Sequence, residues 1–344
     1  MKIPFNKTYT TGQEIVNIGK AIANGKLAGD GEFTLAVQQM MESRYGIDKT
    51  LLTTSCTDAL EMCAILTGVD SESEVIMPSY TFVSTANAFA LRGAKIVFVD
   101  SEENTPNLDA DKLEELITPK TKAIIINSPH NPTGTVMSDE EMLQLQEILR
   151  NTKIFLISDE VYEHMTYDGL QHNSALKYPE LFARSFVCFS LGKVYNCTGW
   201  KLGYCIAPEN LSKEFRKVHQ FNVFSCDTPK QLGIAKYMSN KEAYLTLGNF
   251  YQEKRDYLRA LLKDTPLVPI PSSGSYFESY SYASISNESD TIFAEKLVTE
   301  YGIATIPMSA FYQDGTDHKV IRLCFAKQKE TLEAAAACLQ KLKN

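Results

Sequence analysis

Five side chains of complementary chemistry stand in short, separate segments: Asn131 in S-P-H-N-P-T-G, Asp159 and Tyr162 in S-D-E-V-Y, Lys193 in S-L-G-K, and Arg322 in V-I-R-L-C-F-A. An amine can condense with an aldehyde and, once displaced, carry a proton; a carboxylate can keep a ring nitrogen protonated; a phenol and an amide can hydrogen-bond a phenolic oxygen. Together these are the groups that holding pyridoxal 5'-phosphate requires, with Lys193 as the Schiff-base amine and Asp159 and Tyr162 acting on the ring beside it. Ser55, Cys56 and Thr57 follow one strand and open a helix, where free N–H groups and the dipole suit the phosphate, and Ser190 and Lys201 would complete that cup. Tyr80 or Phe82 would stack on the ring face. Arg322, inside an apolar strand, must find an anion, and a substrate is favoured over a structural carboxylate.

Each of these residues has an ordinary reading when taken alone. Asp159–Glu160 could be a strand-end acid, Asn131–Pro132–Thr133–Gly134 a plain turn, Lys193 a surface charge, and Tyr80 or Phe82 core. Their order and spacing, each just past a strand, argue for one site. Cys56 reads as a small spacer whose backbone matters, and Trp200 as packing.

The elements that must position them alternate apolar, often β-branched runs with helical stretches, the rhythm of a mostly parallel sheet covered on both faces. Strands are expected at 50–54, 74–77, 95–99, 122–126, 154–158, 186–190 and 202–206. Helices are expected at 57–67, 83–92, 109–117, 138–150 and 209–220, with Ser138 as an N-cap ahead of an acidic first turn. A long helical stretch, 228–263, ends at Pro266, Pro269 and Pro271. Beyond it come strands near 276–280, 303–306 and 319–325 and helices near 290–301 and 328–342. The expected class is α/β: a seven-stranded, mostly parallel sheet in a large domain with a smaller α+β domain. Residues 1–30 would form an N-terminal segment, 31–240 the large domain and 241–344 the small one. Ligands of such sheets bind beyond the carboxyl ends of the strands, where Ser55, Cys56, Thr57, Tyr80, Phe82, Asn131, Asp159 and Lys193 fall.

Composition narrows the classes. The 344 residues, 44% of them hydrophobic, suffice for a large core and a satellite lobe. Basic residues number 34 against 42 acidic ones, a net charge of -8 with no basic block, so nucleic acid is not an expected partner. Eight scattered cysteines without a C-x-x-C pair argue for reduced thiols in a cytoplasm and against a metal site. The start lacks a long apolar core, and no run approaches the roughly 18 apolar residues of a membrane span. G-D-G-E at 29–32 lacks the third glycine and the preceding strand of a dinucleotide fingerprint.

From about residue 124 onward, the motifs S-P-H-N-P-T-G, I-S-D-E-V-Y-E-H, S-L-G-K-V-Y-N-C-T-G-W-K-L-G-Y, R-K-V-H-Q-F and I-R-L-C-F-A-K make the chain resemble class I/II aminotransferases of the methionine and kynurenine type. The resemblance implies fold type I, a homodimer, Lys193 as the Schiff-base lysine, Asp159 at the ring nitrogen, Asn131 and Tyr162 at the phenolic oxygen, Ser190 and Lys201 at the phosphate, and Arg322 on the substrate α-carboxylate. Lys201 stands where most such enzymes carry arginine. Residues 1 to about 123, through I-P-F-N, G-K-L-A-G-D-G-E-F-T, L-L-T-T-S-C-T-D-A-L-E-M and I-M-P-S-Y-T-F-V-S-T-A-N-A-F-A-L-R-G-A-K-I-V-F-V-D, resemble nucleotide-sugar transaminases of the dTDP-4-amino-4,6-dideoxygalactose type, which implies Thr57 at phosphate and Phe82 on the ring. The leading expectation is ping-pong amino transfer between methionine or an aromatic amino acid and a 2-oxo acid. Its rivals are amination of a 4-keto nucleotide sugar, β-elimination on cysteine conjugates, and cofactor binding without turnover.

Overall fold

The computed structural model describes residues 12–100, 110–312 and 315–343; the I-P-F-N motif lies outside them. Seven strands form the main sheet: β1 (Thr50–Thr53), β2 (Glu74–Pro78), β3 (Lys95–Val99), β4 (Thr121–Asn127), β5 (Phe155–Asp159), β6 (Ser185–Ser190) and β7 (Gly203–Ile206). Their order is β1-β7-β6-β5-β4-β2-β3. The pairs from β3 to β6 are parallel, and β7 alone runs against both its neighbours. All seven expected strands are present; β2, β4, β5 and β6 are mostly buried, and a strand buried on both faces needs an apolar run. In β4, Ala123 and Ile125 enter the core on one side of the sheet while Ile124 and Ile126 enter the core on the other, the period of two that a pleated strand imposes.

Helices Cys56–Leu66, Val83–Ala90, Ala110–Glu115, Asp139–Leu149 and Glu209–Asn222 fall where expected. The fourth begins in a capping box: Ser138 Oγ accepts from Glu141 N at 3.1 Å and Glu141 Oε2 accepts from Ser138 N at 2.5 Å. The expected single stretch 228–263 is instead three helices, Thr228–Met238, Glu242–Leu245 and Leu247–Leu262. Asn240 Oδ1 takes the Glu242 amide at 3.2 Å and restarts the chain. Gly248 then lies so close to Thr166 that a Cβ would sit 2.8 Å from its carbonyl oxygen. Two helices not foreseen, Glu14–Ala23 and Glu32–Tyr45, precede the sheet.

A second, antiparallel sheet has the order β10-β11-β9-β8, from β8 (Val268–Ile270), β9 (Phe277–Ser281), β10 (Ile306–Pro307) and β11 (Val320–Cys324). Proline-rich β8 occupies an edge, where a missing N–H costs no ladder bond. Tyr280, Tyr282, Phe293, Ile321, Leu323 and Phe325 form its core together with Tyr162, Met165 and Tyr167 from the segment after β5. The chain just beyond Asp159 is therefore packed against the second sheet.

Candidate active site

One glycine gathers the first group of residues. Gly203, which opens β7, is paired with Thr53 on one side and Ser190 on the other. A Cβ there would lie 2.7 Å from the Ser55 carbonyl carbon and 2.8 Å from the Cys56 nitrogen, so only glycine admits the start of helix Cys56–Leu66 against the strand. Ser55 caps that helix by accepting from the Asp58 amide at 3.0 Å. The amides of Cys56 and Thr57 precede any intrahelical acceptor and form its positive end. Ser190 begins the short helix Leu191–Val194 that carries Lys193. Lys201, exposed and at φ 55, ends the turn two residues before Gly203. The backbone thus brings Ser190 and the segment of Lys201 alongside a helix start, and these residue types suit a phosphate.

Asp159 closes β5 at the same edge of the sheet. Its Oδ1 accepts from Cys56 Sγ at 3.6 Å and from the Val161 amide at 3.3 Å. Burial pushes its carboxyl up to about 6, against the pull of those donors and of Lys193. Among the described residues no cation forms an ion pair with it. Asn127, which ends β4, donates to the Asp159 carbonyl at 2.9 Å and accepts from the Asn131 amide at 2.9 Å, so one buried amide sets the loop of Asn131 against the strand of Asp159. Tyr162 is 1% exposed. Burial, then the neighbouring Tyr276 phenol, holds its hydroxyl well above the usual range and so protonated, a donor.

Lys193 Nζ donates to the Tyr276 hydroxyl at 3.1 Å. Arg322, on β11, donates from Nη1 to Asn131 Oδ1 at 2.9 Å. Its guanidinium lies 4.1 Å from the centroid of Phe277 and 5.5 Å from that of Phe311, and burial lowers its pKa from the usual range. Among the described residues no carboxylate pairs with it. A half-buried guanidinium met, among the described residues, by one amide oxygen and two aromatic rings is suited to an anion.

The predicted residues therefore form linked groups. Ser55, Cys56, Thr57, Ser190 and Lys201 cluster around Gly203, Cys56 reaches Asp159, and Asn131 joins Asp159 to Arg322. Tyr80, 5% exposed, packs on Phe311 and Tyr312 with centroids 5.4 and 4.9 Å away, on the Arg322 side. Phe82 heads helix Val83–Ala90 and is 51% exposed. Cys56 is more than a spacer, since its thiol bonds Asp159. Trp200 packs, its ring 3.0 Å from where a Cβ of Gly233 would be. Sequence reasoning missed Asn127, an amide ending an apolar strand, and the aromatic wall of Tyr276, Phe277 and Phe311. The run S-G-S-Y-F, with adjacent aromatics after a glycine turn, was the available signal for that wall. The donor set fits pyridoxal 5'-phosphate: a half-buried acid with no cation paired to it among the described residues, a protonated phenol beside it, a lysine at the carboxyl edge and a positively polarised helix start.

A family model described as aminotransferase class I and II matches residues 11–339, a range that includes residues 11–123. Methionine aminotransferase of Escherichia coli strain K12 is 39% identical over 313 residues, 89% of this chain and 81% of that protein. Aromatic-amino-acid aminotransferase 2 of Thermococcus litoralis is 30% identical over 321 residues, 90% of this chain and 81% of that protein. The crystal structure of an Escherichia coli protein identified as having a methionine aminotransferase function aligns with a TM-score of 0.90 at 36% identity, covering 99% of this chain and 92% of that one. Among the described residues, no helix is long and apolar enough to cross a membrane.

Proposed function

This chain belongs to the class I and II aminotransferases, a pyridoxal 5'-phosphate-dependent family, and we propose that its amino donor is methionine or an aromatic amino acid and its acceptor a 2-oxo acid. The bound cofactor supplies an aldehyde that takes up an amine and a ring that draws electrons from the carbon bearing it. Lys193 anchors it and, once freed, moves the proton at the substrate Cα. Asp159 would lie at the ring nitrogen, where a cation would offset the desolvation of its carboxylate. Tyr162 and Asn131 donate to the phenolic oxygen. Ser55, Cys56, Thr57, Ser190 and Lys201 hold the phosphate, and Tyr80 or Phe82 covers the ring face.

The observation that carries the substrate reading is Arg322, a half-buried guanidinium without a carboxylate among the described residues, poised over Phe277 beside Asn131. An α-carboxylate satisfies it, and the rings of Phe277, Phe311 and Tyr80 next to it suit a thioether or aromatic side chain. The names of the similar proteins agree with that choice. Nucleotide-sugar amination is not favoured, since the family match takes in residues 11–123, and β-elimination and binding without turnover are not favoured, since the similar proteins carry aminotransferase names. A homodimer, a cytoplasmic location, and lobes of 31–240 and 241–344 with an N-terminal segment of 1–30 belong to the same proposal. The test is a donor panel on the holoprotein, following loss of the cofactor's visible band: methionine, phenylalanine and tyrosine should bleach it. If no α-amino acid does, the reading is wrong.

A further inference from the structure

The Tyr276 hydroxyl, 3.1 Å from Lys193 Nζ, has no part in the chemistry assigned so far. The contact spans the two sheets, because Lys193 stands on the helix after β6 and Tyr276 immediately precedes β9. The backbone that delivers it is tightly constrained. Ser275, fully buried, is held at φ 64, a left-handed conformation that a non-glycine residue keeps only where its surroundings enforce it. Its amide donates to the Met165 carbonyl at 3.0 Å and its carbonyl accepts from the buried Tyr167 hydroxyl. Gly274 fits so closely that a Cβ would lie 2.6 Å from Pro129 Cβ and 2.9 Å from Met165 O. The ring itself meets Tyr162 edge-on, with centroids 5.2 Å apart at 88°, and is flanked by Phe277 at 4.6 Å and Tyr251 at 5.8 Å. Lys193 Nζ sits 5.8 Å from the centroids of both Tyr162 and Tyr276, between two phenols.

We propose that Tyr276 is a positioning residue: its phenol oxygen holds the freed Lys193 amine at the place from which that amine moves the Cα proton. The inference rests on the assignment of Lys193 made above. A lysine side chain is long and loses much rotamer freedom when fixed, so an amine that must return to one carbon needs an anchor. A carboxylate anchor would favour the ammonium form and remove the base. A neutral phenol accepts one N–H, aims the amine and adds no charge. The rigid loop under Tyr276 supplies the fixed direction that such an anchor requires.

The test compares holoproteins. Tyr276→Phe keeps the ring and removes the acceptor. Its half-reaction with methionine should slow about tenfold, with donor affinity changed less than about threefold. Deuterium at Cα should slow it further than it slows the wild type, and the visible band of the bound cofactor should titrate at a shifted pH. Tyr251→Phe, altering a neighbouring ring that does not touch Lys193, should match the wild type. Wild-type rate and isotope effect in Tyr276→Phe overturn the proposal, as does a loss confined to donor affinity. If that variant fails to fold, 3-fluorotyrosine at position 276, a weaker acceptor of nearly the same shape, replaces it: a slower half-reaction with a larger isotope effect supports the role and an unchanged one overturns it. Lys193→Ala separates the two assignments. Retention of its visible band removes the lysine assignment itself, whereas loss of the band there with wild-type behaviour in Tyr276→Phe removes only the tyrosine role.

Discussion

Arg322 reaches out of the second sheet to the side chain of Asn131, a 2.9 Å hydrogen bond between β11 and the loop that follows β4. The amide stands between the charge that would receive a substrate and, through Asn127, the acid at the end of β5. One chain of hydrogen bonds therefore links β11 to the end of β5.

Arg322 should matter for binding more than for turnover. Arg322→Lys replaces a planar fork by a point charge and should raise the KM for methionine on the order of tenfold or more, with kcat changed less. Steady-state kinetics checks the split. A parallel decline in kcat with KM unchanged would place the carboxylate elsewhere.

Lys193→Ala should abolish the visible band of the purified protein and reduce amino transfer by at least about a thousandfold, since both the anchoring amine and the proton carrier are lost. An absorbance spectrum before and after adding cofactor reads the first effect, and a coupled assay the second.

Asp159 makes a prediction about pH. Its carboxyl lies at about 6 in the folded protein, above the ordinary 3.8, so folding favours the protonated form. That stabilisation is complete below pH 3.8 and is lost as the pH rises through 6. In protein stripped of cofactor, Asp159→Asn should be more stable than the wild type at pH 7, by ~2 kcal/mol, and the gap should shrink at pH 4. Thermal midpoints at the two pH values measure it; a gap that widens toward low pH would reverse the sign. The same variant should lose most of its transaminase activity.

Gly134 at φ 76 leaves no room for a side chain: a Cβ would lie 2.6 Å from both Gly274 O and Ser272 Cβ. Gly134→Ala should cost about 2–3 kcal/mol through strain and overlap. It should also disturb the loop that delivers Tyr276, so a lower melting temperature should come with slower turnover.

The main sheet was legible because β2, β4, β5 and β6 are almost wholly buried and spell that burial as unbroken apolar runs. The first two helices were not. Helix Glu14–Ala23 buries Asn17 and Ala21 while Ile15, Ile18 and Ile22 are 83%, 43% and 57% exposed, so its apolar spacing does not report the face that packs. Strand β8, exposed along its length and carrying a proline, has no burial signal of its own and exists through pairing with β9.

In the site, residues whose chemistry is distinctive were readable: an acid ending a strand, a lysine after the next, an arginine in an apolar run. Asn127 and Tyr276 act by where the fold puts them. Asn127 matters because β4 and β5 lie side by side, and Tyr276 because Ser275 turns the chain toward Lys193. Neither fact is written in local composition.

The reversal of β7 has one last implication. Because Ser190 and Gly203 are register partners, the twelve positions from 191 to 202 leave the sheet and return to it at a single point. Lys193 and Lys201 thus travel on a cassette with adjoining ends, whose replacement would not re-thread the strands on either side.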